Sequence, residues 1–230
     1  KWNNPPIYID KMKYRGDGEG YLKSGNQQLF VLSTDGGTPM QITTDDNDYG
    51  APVWSKDGKS LYFSANLHEE HEYEPLNSEI YKITLATGKI TALTENIGPD
   101  SNPVLSPDGS MIAYTGFEDK YQGYQVTHLF TMNSSGGDIK PISTDFDRDI
   151  GDIFWDEKGK GLYFLYDDTG ETKIGHISLD GKVDTLATGL GGLSLGRPYT
   201  AAAYSVSNDG TLAFTLGGTE HPADLATLSR

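Results

Sequence analysis

Ala51-Pro-Val-Trp-Ser-Lys-Asp-Gly-Lys-Ser-Leu-Tyr-Phe63 returns three times in altered form. The copies are Asn102-Pro-Val-Leu-Ser-Pro-Asp-Gly-Ser-Met-Ile-Ala-Tyr114, Asp152-Ile-Phe-Trp-Asp-Glu-Lys-Gly-Lys-Gly-Leu-Tyr-Phe164 and Ala203-Tyr-Ser-Val-Ser-Asn-Asp-Gly-Thr-Leu-Ala-Phe214. Their turn glycines, Gly58, Gly109, Gly159 and Gly210, stand 51, 50 and 51 positions apart. A second motif interleaves with the first: an apolar run, a glycine turn and a strand end that is mostly Leu/Ile followed by Thr/Ser. It runs from Leu29 to Thr43, Ile80 to Thr94, Leu129 to Ser143 and Ile174 to Ala187. Two motifs sharing one period describe a tandem array.

Each period encodes two hairpins. Pro52 to Ser55 pairs with Ser60 to Ala65 across an Asp-Gly turn, where glycine tolerates positive φ. Ile80 to Leu85 pairs with Lys89 to Thr94 across Thr87-Gly88. Four strands per unit of about fifty residues is the pattern of a β-propeller blade. The fold class expected is therefore all-β, a propeller of four-stranded blades with about five blade-like units. The units read as 6–43, 51–94, 102–143, 151–187 and 201–230. The first is atypical, and the last stops at a third strand, Leu225 to Leu228. Propellers close by letting one terminus complete a blade begun by the other, which removes exposed sheet edges. A repeat cut inside its final blade reads as part of a larger propeller.

Composition agrees. The 28 glycines, 14 tyrosines and lack of any long helical period favour an all-β chain. No apolar run approaches a membrane span, and Lys1-Trp2-Asn3-Asn4 does not begin a signal peptide. There are no cysteines, so disulfides and thiolate metal sites are excluded. With 33 acidic against 18 basic residues the net charge is −15, which repels phosphate backbones and anionic lipid. Nucleic acid and membranes are not expected partners.

The blade form Pro-x-Trp/Leu-Ser-Pro/Lys-Asp-Gly-x-x-Leu/Ile-x-Phe/Tyr resembles TolB-type propellers and the propeller domain of the prolyl-oligopeptidase family of serine peptidases. Within that family, Tyr14-Arg-Gly-Asp-Gly-Glu-Gly-Tyr21, Gln28-Leu-Phe-Val-Leu32 and Asp45-Asp-Asn-Asp-Tyr-Gly-Ala-Pro-Val-Trp-Ser55 are similar to the acylaminoacyl-peptidase branch. So is the long blade loop Ser64-Ala-Asn-Leu-His-Glu-Glu-His-Glu-Tyr73. The resemblance runs from about Tyr14 to Leu225. It implies a non-catalytic propeller that gates access to a Ser-Asp-His triad, so that short peptides reach the nucleophile. The triad would sit on a C-terminal α/β-hydrolase domain of the same polypeptide, absent from this sequence. A cytoplasmic location and no cofactor are expected. The alternatives are a TolB-like protein-interaction scaffold and the propeller of a glycan-degrading enzyme.

Several residues invite chemistry. Gly192-Leu-Ser-Leu-Gly196 matches the G-x-S-x-G nucleophile elbow, but the motif needs a strand before Ser194 and a helix after it. Here Arg197-Pro-Tyr-Thr leads into the next repeat, and only Asp209, Asp224 and His221 follow as triad partners. A loop is the plainer reading, and no catalytic residue is assigned. His68, Glu69, Glu70, His71 and Glu72 are candidates for contact with substrate or with another domain. A metal there would need the two imidazoles to converge on a helical turn, and none is assigned. Arg15, in a glycine-rich run, is a further contact candidate, with pairing to an acidic strand neighbour as the structural alternative. Asp45/Asn47 and Asp145/Asp147/Asp149 alternate as calcium-loop ligands can, but neither link has the glutamate that closes an EF-hand loop, and Asx turns at strand ends are the plainer reading. The loops 66–78, 116–127 and 188–200 should gather with both aspartate-rich links on one acidic face. Trp54, Trp155, Phe63, Tyr114, Phe164 and Phe214 should fill the space between blades, while Tyr121, Tyr124 and Tyr199 offer exposed rings.

Overall fold

The computed structural model describes residues 3, 5–192, 202–218 and 221–229. Every regular element among them is a strand. The first unit gives two separate ladders, β1 (Arg15–Gly16) with β2 (Gly20–Tyr21), and β3 (Phe30–Val31) with β4 (Met40–Gln41). It does not form one four-stranded blade. The glycines at 18 and 20, at φ 81° and 79°, give this segment to a tight turn.

Two complete four-stranded meanders follow. The first is β5 (Val53–Trp54), β6 (Ser60–Ala65), β7 (Glu79–Thr84) and β8 (Lys89–Ala92). The second is β9 (Asp100–Leu105), β10 (Met111–Gly116), β11 (His128–Asn133) and β12 (Lys140–Pro141). Next come β13 (Gly151–Trp155), β14 (Gly161–Asp168), β15 (Glu171–Ser178) and β16 (Val183–Leu190), then β17 (Tyr204–Val206), β18 (Leu212–Gly218) and β19 (His221–Leu228). These last seven form one sheet, because Leu190 at the end of β16 pairs with Leu216 of β18.

The second motif explains that difference. In the earlier units the closing hydroxyl accepts the backbone N–H of the apolar residue that opens the third strand. Leu29 N donates to Thr43 Oγ1 at 2.9 Å, Ile80 N to Thr94 Oγ1 at 2.9 Å, and Leu129 N to Ser143 Oγ at 2.8 Å. These side-chain bonds take the place of a ladder bond and end the pairing. Ala187 has no hydroxyl; Ile174 pairs with Ala187 through the backbone, with a register shift on either side, and β16 continues to Leu190.

The first-motif turns are equally local. Ser55, Ser106 and Ser207 hydroxyls donate to Asp57, Asp108 and Asp209, whose carboxylates accept the amides of Lys59, Ser110 and Thr211. These bonds hold Asp108 down to about 2 and keep Asp57 and Asp209 below the ordinary carboxylate value. In the third copy Asp156 replaces the serine and itself accepts the amides of Lys158 and Lys160.

Side chains alternate between neighbours with period two, as a pleated strand requires. On β6, Leu61, Phe63 and Ala65 pack toward Leu29 and Tyr49, while Tyr62 packs with Ile112 and Tyr114 of the next sheet. On β14, Leu162, Phe164 and Tyr166 meet Ala113 and Leu129, while Tyr163 and Leu165 meet Leu212 and Phe214. Each fully buried Leu, Ile or Phe contributes about 1.5–3 kcal/mol. Trp155 is 9% exposed and donates Nε1–H to Val104 O at 3.0 Å, tying adjacent sheets together. Trp54, expected to fill the same space, is 48% exposed. Phe63, Tyr114, Phe164 and Phe214 are buried as expected.

Candidate functional site

The residue before each third-strand apolar anchor is polar in all four copies: Gln28, Glu79, His128 and Lys173. In three copies it performs local fastening. Gln28 Nε2 donates to the carbonyls of Asp45 and Asn47 at 2.9 Å each, His128 Nδ1 lies 3.2 Å from Ser143 O, and Lys173 Nζ reaches Asp168 Oδ2 at 2.8 Å. Glu79 is different: it is an acid, 2% exposed, between two sheets. Its Oε2 accepts Thr94 Oγ1–H at 2.5 Å and its Oε1 accepts Asn96 N–H at 2.9 Å. His68 Nε2, whose atom is buried without a hydrogen bond, lies 3.7 Å from Oε1, within ion-pair reach when protonated.

A second buried acid stands beside it. Asp100 opens β9 at the position where the flanking copies place the buried apolar residues Tyr49 and Ile150. It is 2% exposed. Burial pushes its carboxyl up to about 7; the Thr94 hydroxyl pulls the other way and the Glu79 charge adds to the rise. The single Thr94 proton is already donated to Glu79, so little of it is left for Asp100. Tyr114 is raised above the ordinary phenol value by burial and by both acids. Gly116, paired with Asp100 across the ladder, makes the room: a Cβ there would collide with Asp100 Oδ1 and the Pro99 carbonyl.

Asp100 and Tyr114 line a cavity of about 610 Å³ together with Phe130, Tyr124, Glu95 and Glu118. The Tyr114 and Phe130 rings stack at 5.3 Å between centroids and 13° between planes. The 117–127 loop roofs the cavity and is pinned to the link before β9. Asp119 N donates to Ile97 O at 2.7 Å and Asn96 Nδ2 to Phe117 O at 3.4 Å. Within the loop, Asp119 Oδ1 accepts Tyr121 N at 2.7 Å and Gln125 Nε2 at 2.8 Å.

The sequence-predicted residues separate. The 66–78 loop folds as successive turns, with Glu74 N donating to Glu70 O at 3.2 Å and Asn66 Nδ2 to Glu74 O at 2.7 Å. His68 turns inward to Glu79, while His71 Nδ1 lies 3.1 Å from the His68 carbonyl. The two imidazoles therefore have different partners. Glu69 and Glu70 are exposed, and Glu72 is half-buried. Arg15 sits exposed on β1, paired through backbone with Tyr21, and makes no ion pair among the described residues. The aspartate-rich links do structural work: Asp48 Oδ1 accepts Gln27 N at 2.6 Å and Asp149 Oδ1 accepts Thr127 N at 2.7 Å, one repeat pair apart. Asp209 belongs to its turn and Asp224 accepts the Leu225 amide at 2.8 Å. Ser194 and Tyr199 lie outside the described residues, as does Ala201, the start of the last unit.

Sequence reasoning found His68 but not Glu79, Thr94 and Asp100. The signal was available, since an acid occupies an apolar position of the repeat at 100.

The family model "Dipeptidyl peptidase IV (DPP IV) N-terminal region" matches residues 10–128, just over half of the chain. Dipeptidyl-peptidase 5 of Porphyromonas gingivalis is 30% identical over 164 residues, 70% of this chain and 23% of that protein. The Tol-Pal system protein TolB of Francisella tularensis is 28% identical over 145 residues, 61% of this chain and 30% of that protein. The chain thus spans under a third of the length of these relatives. A puromycin-hydrolyzing peptidase of Mycobacterium tuberculosis superposes with a TM-score of 0.65 at 18% identity, over 87% of this chain and 33% of that one, a likeness of fold.

Proposed function

Because the chain belongs to the family of the dipeptidyl peptidase IV N-terminal region, we propose that it is the non-catalytic propeller of an acylaminoacyl-peptidase-like serine peptidase. In this reading it controls the access of short peptides to a nucleophile on a C-terminal α/β-hydrolase domain of the same polypeptide, in the cytoplasm. The observation that carries the proposal is the stacking of sheets whose 66–78 and 117–127 loops are both bonded to the same link. Asn77 Oδ1 accepts Gly98 N at 3.2 Å and Ile97 O accepts Asp119 N at 2.7 Å. Loops gathered at one end of a blade stack form a rim, the position from which a propeller meets substrate or a second domain. The exposed carboxylates Glu69 and Glu70 on that rim, with His68, His71 and Glu72 behind them, are the proposed contacts for a substrate or the hydrolase domain. Arg15 on its separate hairpin is the remaining candidate.

The test compares this chain with the product of the complete open reading frame on acyl-amino-acid and short-peptide p-nitroanilides. Hydrolysis confined to the longer protein and blocked by a serine-directed phosphonate supports the proposal. The TolB similarity favours a second reading, a protein-interaction scaffold. Inactivity of both polypeptides would transfer the proposal to it.

A further inference from the structure

We propose that the cavity under the 117–127 loop binds an organic ammonium ion, with the Asp100 carboxylate as counter-ion and the stacked Tyr114 and Phe130 rings as its wall.

The buried acid demands a reason. A carboxylate removed from water is costly unless paired or hydrogen-bonded. Among the described residues no Lys, Arg or His forms an ion pair with Asp100, and the one hydroxyl beside it, Thr94, directs its proton to Glu79. The equivalent positions, Tyr49 and Ile150, show that the fold is served there by an apolar side chain. An acid in this place with no structural partner, lining an open cavity of about 610 Å³, is positioned for a ligand. That volume lies within the range typical of small-molecule sites, about 300–1,000 Å³.

The chemistry of the walls selects the ligand. Aromatic faces attract cations through their quadrupole, and carboxylates do so by charge. Glu95 and Glu118 add negative charge to the lining, against Lys120 and His128, and His128 Nδ1 is already occupied by the Ser143 carbonyl. The Tyr114, Phe130 and Tyr124 rings beside the carboxylate favour a cation that carries its own apolar arm. The bonds that fasten the roof at Ile97, Phe117 and Gln125 hold the cavity ready without a closing motion.

Binding will depend on pH, because an ammonium ion needs Asp100 ionised. The groups facing Asp100 are Glu79 from β7, Thr94 from the link and Tyr114 from β10. His68 acts through Glu79, and Glu95, Glu118, Lys120 and His128 share the cavity. A carboxyl that titrates at about 7 in the free protein is about one-tenth ionised at about pH 6 and about nine-tenths at about pH 8, so affinity should rise about tenfold between them.

The probe is phenethylammonium chloride, titrated calorimetrically into the full chain, with the neutral 2-phenylethanol as shape control and Nα-acetyl-lysine amide as a second amine. The expected result is that the amine binds, the alcohol binds at least about tenfold more weakly, and the amine's affinity rises with pH as worked above. Asp100→Asn should lower amine affinity at least about tenfold and flatten its pH dependence. Binding of acetyl-lysine amide as well identifies a peptide side chain as a source; binding of the free amine alone identifies a small metabolite. Either supports the site. Equal binding of amine and alcohol, binding of neither amine, or an affinity flat in pH would overturn it. Should Asp100→Asn not fold, the wild-type comparison of amine with alcohol across pH decides alone.

Discussion

Replacing Asp100 by Asn should remove a large part of the protein's pH-dependent instability. In the unfolded chain this carboxyl titrates at its ordinary value of 3.8; in the fold burial pushes it up to about 7. Between those values the folded state holds a proton that the unfolded state has released. Stability is therefore greatest below the lower value, falls as pH rises toward 7, and is level above it. At 1.36 kcal/mol per unit, the shift of about three units corresponds to a loss of about 4 kcal/mol, of which about 2–3 kcal/mol falls between about pH 5 and about pH 8. Asn has nearly the same shape and no charge to lose. The assay is guanidinium unfolding of both proteins, without added amine, at the two pH values. The wild-type change minus the variant change isolates Asp100, since every other group is common to both proteins and the turn aspartates, held low, stay ionised throughout. Wild type should lose about 2–3 kcal/mol more than Asp100→Asn on going to the higher pH. Equal pH slopes, or a variant whose stability falls more steeply than the wild type's, would refute the claim that this carboxyl is buried without compensation.

Thr94→Val removes the proton given to Glu79 and the acceptor for Ile80 N–H, so it should cost about 2–4 kcal/mol in denaturant unfolding. Thr43→Val breaks only the bond from Leu29 N and should cost less, about 1–2 kcal/mol; a reversed order would contradict the assignment of the hydroxyls. Gly116→Ala must displace Asp100 Oδ1 or the Pro99 carbonyl and should destabilise by about 2 kcal/mol or more, whereas Gly151→Ala meets no atom within 4 Å and should stay within about 0.5 kcal/mol. Trp155→Phe loses the bond to Val104 O and should lower stability by about 1 kcal/mol, read from the shift in denaturation midpoint at constant slope.

Much of the architecture was legible because its signals are local. The Ser-x-Asp-Gly turns are closed within five residues, by bonds such as Ser60 N to Ser55 Oγ at 2.9 Å, so the sequence carries the whole interaction. The Thr/Ser strand ends were visible as a pattern, and their cause, a hydroxyl fourteen residues along, needed the ladder register. The first unit, read as atypical, carries the motif from Leu29 to Thr43 but forms only two-residue ladders, and how far pairing extends is not recorded in the motif. Trp54 matched its repeat position, yet its exposure depends on what lies beside it, which no repeat records. The site was obscured for the same reason: Glu79 meets Asn96 seventeen residues on, and a run such as His68 to Glu72 drew attention by composition. Only His68 of that run turns toward the buried acids.

The repeat supplies its own control for reading Asp100 as functional. Array positions drift in identity while keeping their mechanical task, and Asp156 shows how an acid is absorbed when that happens. It replaces the serine of the other turns, accepts two backbone amides at 3.1 and 2.9 Å, and has His176 Nε2 at 3.3 Å from its second oxygen. Every lone pair that burial would orphan has a neighbour. Glu79 is absorbed in the same way, by a hydroxyl and an amide. Asp100 is buried as deeply as Glu79, but its neighbour across the ladder is a glycine and its other side is a cavity. A fold that surrounds both Asp156 and Glu79 with donors leaves this acid facing a cavity, so the missing donor is sought in the molecule that enters.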